Sequence, residues 1–143
     1  MTTSKNILDA ELCFQLYVAS KEIIKLYKPQ LEAYDLTYTE FITLLALEGE
    51  MTVNDLGNSL FLDSGTLSPL LKKLEKKQLI GRKRSLEDER KVLITLTEQG
   101  QTIREELPCV SQKIYEENLN QQPIDMRHLL LELQKLNQLF VKE

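Results

Sequence analysis

The sequence is short of several things, and each shortage closes a class of explanation. It holds one histidine, His128, and two cysteines, Cys13 and Cys109. Protein-built zinc sites usually draw four Cys, His or acid ligands from tight spacings, so no metal site is expected. Two thiols cannot build a disulfide framework either; they are inert core groups or redox-active ones. Tryptophan is missing, and only five glycines and four prolines stand among 143 residues. Such a composition argues against disorder and against a many-stranded β fold. No apolar run approaches the roughly 18 residues of a membrane span. The polar opening Met1 to Asn6 leads into no signal-peptide core. A cytoplasmic chain without a membrane partner is expected, forming one domain over 1–143 with a real core. Nothing in the sequence asks for a cofactor.

What the chain does have is unevenly placed charge. The net charge is −4, yet Thr66 to Val92 carries nine basic residues: Lys72, Lys73, Lys76, Lys77, Arg82, Lys83, Arg84, Arg90 and Lys91. Against them stand four acids, Glu75, Glu87, Asp88 and Glu89, a local charge of +5 that leaves −9 for the remainder. A basic patch on an acidic body is the electrostatic footprint of a nucleic-acid reader.

Periodicity predicts the elements that carry this patch. A long helix is expected over 6–33, capped by Asn6 with Asp9 in its first turn, and bearing Leu12, Leu16, Ile23 or Ile24, Tyr27 and Leu31. Pro29 predicts a kink or break near Tyr27-Lys28. Thr37-Tyr38-Thr39-Glu40 has the form of a capping box, so a second helix starts there and stops at Gly49. A short third helix follows Thr52 with Val53, Leu56 and Leu60 on one face. After the link Phe61-Leu62, a helix capped by Asp63 or Ser64 runs to Lys77. Its Leu67, Leu70, Leu71 and Leu74 form an apolar stripe at helical spacing. Past Gly81 the period becomes two, and Arg82-Lys83-Arg84 and Lys91 to Leu96 read as a hairpin around Leu86 to Arg90. Thr97 caps a fifth helix with Ile103, Leu107, Val110 and Ile114, and Pro123 opens a sixth with Met126, Leu129 or Leu130, Leu133, Leu136 and Phe140.

The expected architecture is mainly α with a small β-wing: a winged helix-turn-helix over 37–96, flanked by helices over 6–36 and 97–141. Those flanking helices have more apolar stripe than the winged unit can cover. A second copy of the chain is the simplest sink, and a two-fold dimer suits a palindromic operator on double-stranded DNA. On this reading Ser64, Thr66, Ser68, Pro69 and Lys72 face bases and phosphates in the major groove. Lys73, Arg82 and Arg84 hold the backbone, and Arg90, beside Asp88 at the wing, enters the minor groove. Two plainer readings stand beside it: a surface helix with a solvated lysine face, and an Arg90 that pairs with Asp88 or Glu87 merely to stiffen the turn.

The stretch Asp63 to Glu75, taken with Asp88-Glu89-Arg90 and the element order, resembles the MarR family of bacterial repressors. Leu12-Cys13-Phe14-Gln15-Leu16-Tyr17, Tyr27-Lys28-Pro29 and Leu36-Thr37-Tyr38 are similar to its OhrR branch of organic hydroperoxide sensors. The resemblance runs from about residue 8 to residue 100; the last 40 residues match only as helices. It implies that Cys13 is the peroxide-reactive thiol, oxidised to a sulfenic acid and then a disulfide that makes a homodimer release DNA. It also implies that Tyr27 and Tyr38 hydrogen-bond this cysteine across the dimer interface, with Tyr17 nearby. Cys109 would be the resolving cysteine of a two-cysteine sensor; otherwise a low-molecular-weight thiol takes that part.

Elementary geometry bears on this. Cys13, Tyr17 and Ser20 share one helical stripe, but 14 residues of helix put Tyr27 roughly 21 Å from Cys13 at ~1.5 Å per residue, so their contact requires a second subunit. With Cys13 about two turns inside the predicted helix, the helix dipole lends the thiolate little. The plain alternative is a buried, inert thiol. Other open functions are a repressor relieved by a small aromatic ligand and a broader thiol-based stress or virulence regulator. A thiol peroxidase is disfavoured, because no Arg or His lies near Cys13 in sequence; no enzyme activity is expected.

Overall fold

The computed structural model describes residues 7–142. The predicted cap Asn6 lies outside the described residues. A short 3-10 turn, Ile7–Ala10, precedes helix α1, Leu12–Glu32. No break occurs at Pro29: α1 runs through it, because the proline stands in the last turn, where the loss of one amide donor removes a single bond. Helix α2, Tyr38–Ala46, begins with the full capping box; Thr37 Oγ1 accepts from Glu40 N, and Glu40 Oε1 accepts from Thr37 N at 2.8 Å. It ends at Ala46, earlier than Gly49, which takes φ +66 in the turn beyond.

Strand β1, Met51–Thr52, leads into α3, Val53–Leu60, capped by Thr52. Phe61 at φ 57 turns the chain toward α4, Ser64–Lys76, whose cap is Asp63: its Oδ1 accepts from Thr66 N at 2.7 Å. Strands β2, Ile80–Arg84, and β3, Val92–Leu96, close the hairpin. The sheet is antiparallel in the order β1-β3-β2, with Arg82 opposite Ile94 and Met51 on the far side of the same residue. Thr97 caps α5, Glu98–Ile114, which passes into a π-helical turn, Tyr115–Leu119. Helix α6, Met126–Asn137, is capped by Asp125, three residues later than the predicted start at Pro123.

The core gathers Leu31, Phe41, Leu44, Leu47, Leu56, the four leucines of α4, Ile94, Leu107 and Ile114, all buried. It therefore joins the winged unit to the C-terminal part of α1 and to α5. The first half of α1 and all of α6 are left outside it. Leu12, Tyr17, Leu130 and Leu139 are exposed by 65, 60, 55 and 77%, an apolar surface that no element among the described residues covers. No helix among the described residues is long and apolar enough to cross a membrane.

Candidate nucleic-acid interface and thiol positions

Helix α4 is fixed from beneath and open above. Leu67, Leu71 and Leu74 are fully buried and Leu70 nearly so, which leaves Ser64, Thr66, Ser68, Pro69, Lys72, Lys73 and Lys76 on the exposed side. Both halves follow from one amphipathic period. Asp63 sits at the free amides of the helix N-terminus, and those amides, with the Thr66 hydroxyl, hold its carboxyl below the ordinary range. Pro69 interrupts the helix only by freeing one carbonyl. Thr66, Pro69 and Lys73 share a cleft with Thr37 and Thr39 of the α2 N-terminus.

The C-terminal end of α4 is anchored by a half-buried ion pair. Lys77 Nζ donates to Glu40 Oε1 at 2.9 Å and to the carbonyl of Asp35, whose own φ is 55. Glu40 is 1% exposed, and its second oxygen has no partner. Lys77 thus leaves the basic surface that sequence counting gave it.

The wing divides the predicted arginines. Arg82 Nε donates to Glu75 Oε1 at 3.1 Å, with one terminal nitrogen buried, so this side chain ties β2 to α4. Arg84 Nη1 donates to the Glu89 carbonyl at 2.8 Å and clamps the turn. Arg90 is 90% exposed in its side chain while its Nε donates to Asp88 Oδ1 at 3.2 Å. The pairing expected with Asp88 is present, and the rest of the Arg90 side chain stands in solvent at the tip. The guanidinium, and then the Arg90 amide, hold the Asp88 carboxyl below the usual range.

The thiol-related residues fall into three groups. Cys13 and Tyr17 are exposed on the early part of α1. Because the α-helix begins at Leu12, Cys13 lies in its first turn and not two turns inside, next to the positive end of the dipole. Tyr27 and Tyr38 pack edge-on with ring centroids 5.0 Å apart, both against Phe41, and the Tyr27 hydroxyl donates to Ser111 Oγ at 3.1 Å. Burial, and then Tyr27, raise the Tyr38 hydroxyl above its ordinary range. Cys109 is exposed on α5 beside Tyr34 and Glu106; partial burial, then the Glu106 carboxylate and Cys109, push the Tyr34 hydroxyl up. The Tyr27–Ser111 bond sets the part of α5 that carries Cys109 against the C-terminal half of α1, so the two cysteines of one chain are roughly 20 Å apart, at ~1.5 Å per residue over the helix from Cys13 to Tyr27. A disulfide between them within one subunit is sterically closed.

Residues 25–107 match the family model described as the transcriptional regulator SarA/Rot. The chain is also 50% identical over 119 residues to the HTH-type transcriptional regulator SarZ of Staphylococcus haemolyticus, covering 82% of this chain and 81% of that protein. The chain belongs to the SarA/Rot family. Its relatives are transcriptional regulators and not enzymes. This SarA/Rot chain also has the fold of AbfR of Staphylococcus epidermidis. Reduced AbfR bound to DNA superposes with a TM-score of 0.74 at 30% identity, over 94% of this chain and 96% of that one. Overoxidized AbfR bound to DNA gives 0.71 and 32%, over 92% and 94%. A MarR mutant of E. coli complexed with operator DNA gives 0.77 at 23% identity, over 92% and 99%, a likeness of fold alone. The resemblance to MarR regulators thus holds at the level of the winged-helix architecture, and the family assignment moves to SarA/Rot.

Proposed function

We propose that this SarA/Rot chain is a cytoplasmic, homodimeric DNA-binding repressor switched by oxidation of Cys13. The observation that carries the DNA half is the joint presentation of the α4 hydroxyls and lysines and of an Arg90 that is 90% exposed at the wing tip. Thr66, Ser68, Pro69 and Lys72 read the major groove, Lys73 holds phosphate, and Arg90, presented by Asp88, enters the minor groove. Arg82 and Arg84 serve this indirectly by fixing the wing to α4 and closing its turn.

The exposed apolar faces of α1 and α6 provide the dimer surface. Dimerisation also brings a second copy's Tyr27 and Tyr38 within reach of Cys13, which one chain alone cannot do. The Cys13 thiolate attacks an organic hydroperoxide, breaking the O–O bond to leave a sulfenic acid and an alcohol. Condensation with a second thiol then releases water and forms a disulfide. That second thiol is Cys109 of the partner subunit or a low-molecular-weight thiol. AbfR has been solved on DNA both reduced and overoxidized. Release from DNA is accordingly assigned here to the disulfide, which tethers or crowds the interface, and not to a sulfinic or sulfonic acid.

A second signal has its own support. A cavity of about 300 Å³ between α1 and α2 is lined by Ile24, Leu31, Leu36 and Tyr38, with Lys25 and Lys28 outnumbering the one carboxylate, Glu32, around it. A small aromatic acid fits that chemistry. Titrating cumene hydroperoxide against the DNA complex of Cys13→Ser separates the two. The thiol reading expects the wild-type complex to dissociate and the variant to persist. Equal dissociation of both removes Cys13, and dissociation of the variant by benzoate favours the cavity.

A further inference from the structure

The wing is fixed more firmly than a solvated turn needs, and it carries one apolar side chain wholly in water. Ser85 N donates to the Lys91 carbonyl and Lys91 N to the Asp88 carbonyl, each at 2.9 Å. Ser85 Oγ accepts from Glu87 N and Asp88 N, and Arg84 holds the Glu89 carbonyl. At the crest of this framework Leu86 is 102% exposed. The next most exposed large apolar residues, Ile7 at 80% and Leu139 at 77%, flank the helices that form the proposed dimer surface. Leu86 stands apart from that surface, on the opposite shoulder of the turn from Arg90. Single exposed leucines are ordinary on protein surfaces, and what singles this one out is its place on the same turn as Arg90. This one is held in place by hydrogen bonds beside exposed Glu87 and Glu89, whose charge gives the tip no attraction of its own for phosphate.

We propose that Leu86 is a second DNA-reading residue of the wing, an apolar wedge that seats on the sugar walls and base edges of the minor groove beside Arg90. The inference rests on the DNA-binding reading above. Its chemistry differs from that of Arg90: an apolar contact displaces water and releases no counterion. A wedge also favours pyrimidine–purine steps, which unstack most easily, and so gives specificity where no hydrogen bond is made.

The test compares Leu86→Ala and Arg90→Ala with the wild-type chain. The probe is a duplex recovered by the wild-type chain from a randomised library, with a scrambled duplex of equal length as control. Fluorescence anisotropy between about 50 and 200 mM NaCl gives both affinity and salt slope. Leu86→Ala is expected to weaken the recovered duplex about ten-fold at every salt concentration, the size of a partial leucine burial. Its slope and melting temperature should match wild type, and the scrambled duplex should change less than about two-fold. Arg90→Ala should instead flatten the slope by about 0.9. A Leu86→Ala affinity within two-fold of wild type, with Arg90→Ala still impaired, overturns the wedge and leaves the DNA reading standing; an apolar tip used by a protein partner would give this result. Neutrality of both variants overturns the wing's role in DNA binding altogether. A changed slope in Leu86→Ala would mark a disturbed turn and equally overturns the wedge.

Discussion

A methyl group at position 100 would meet the carbonyl oxygen of Leu79 at 2.0 Å. That carbonyl accepts from Thr97 N, and Thr97 Oγ1 accepts from Gly100 N while donating to the Gln78 carbonyl at 2.7 Å. The start of α5 is therefore pressed against the chain entering β2, and only glycine allows the approach. Gly100→Ala should cost about 3 kcal/mol, because backbone on both sides must shift to admit the methyl. A fall in the urea midpoint at constant m-value checks this; an unchanged midpoint would mean that the contact relaxes freely. Nothing in the sequence marks the requirement, since a glycine in a helical first turn reads only as weak propensity. Single-residue signals were legible where the chemistry is local. Thr37, Thr52, Asp63 and Thr97 all cap the helices that follow them, because a capping hydroxyl or carboxylate needs only its next three residues. The tie from Arg82 to α4 was not legible for the opposite reason: its partner, Glu75, comes from the helix before it.

At the scale of elements, α4 owes its orientation to both ends. Asp63 fixes the start, and the Lys77–Glu40 pair binds the last turn to α2 and to the bend at Asp35. Glu40 is doubly used, since the same oxygen also closes the capping box. Lys77→Met should cost about 2–3 kcal/mol, below the roughly 3–5 of a dry pair because the lysine keeps some contact with water. Adding Glu40→Gln removes the stranded charge while an amide oxygen still serves Thr37 N. The double variant should therefore unfold at a higher urea concentration than Lys77→Met alone. A double variant as weak as the sum of both changes would show that the pair contributes no more than its separate contacts. The elements themselves were readable from period, with three physical exceptions. Pro29, Pro69 and Pro108 lie inside helices and break none, because packing against the core outweighs one lost bond at each. Strand β1 is two residues long, too short for any alternation to register. Helix α6 begins at a polar Asp125 cap that the preceding proline masked.

For the whole molecule, the feature that matters most is what one chain leaves uncovered. Leu12, Tyr17 and Ile24 on α1, with Leu129, Leu130, Leu131, Leu139 and Phe140 on and after α6, are exposed while the core beneath α4 is closed. The surplus of apolar stripe was visible in the sequence; the separation of the two thiols was visible only in part. Helical rise alone distanced Cys13 from Tyr27, but the placement of Cys109 beside Tyr34 depends on how α5 crosses α1, which no local pattern encodes. In the proposed dimer the same surface unites the sensor groups and spaces two α4 helices for a palindrome. Leu130→Asp puts a charge into that surface without touching the winged core. It should yield a monomer in sedimentation velocity at micromolar concentration. Operator affinity should fall about a hundred-fold, as the second half-site no longer binds at high effective concentration. The monomeric variant should keep its winged core, which does not draw on α6, and its weaker half-site binding. A variant that sediments as a dimer with operator affinity intact would move the interface away from α6, and with it the route by which oxidation at Cys13 reaches the DNA.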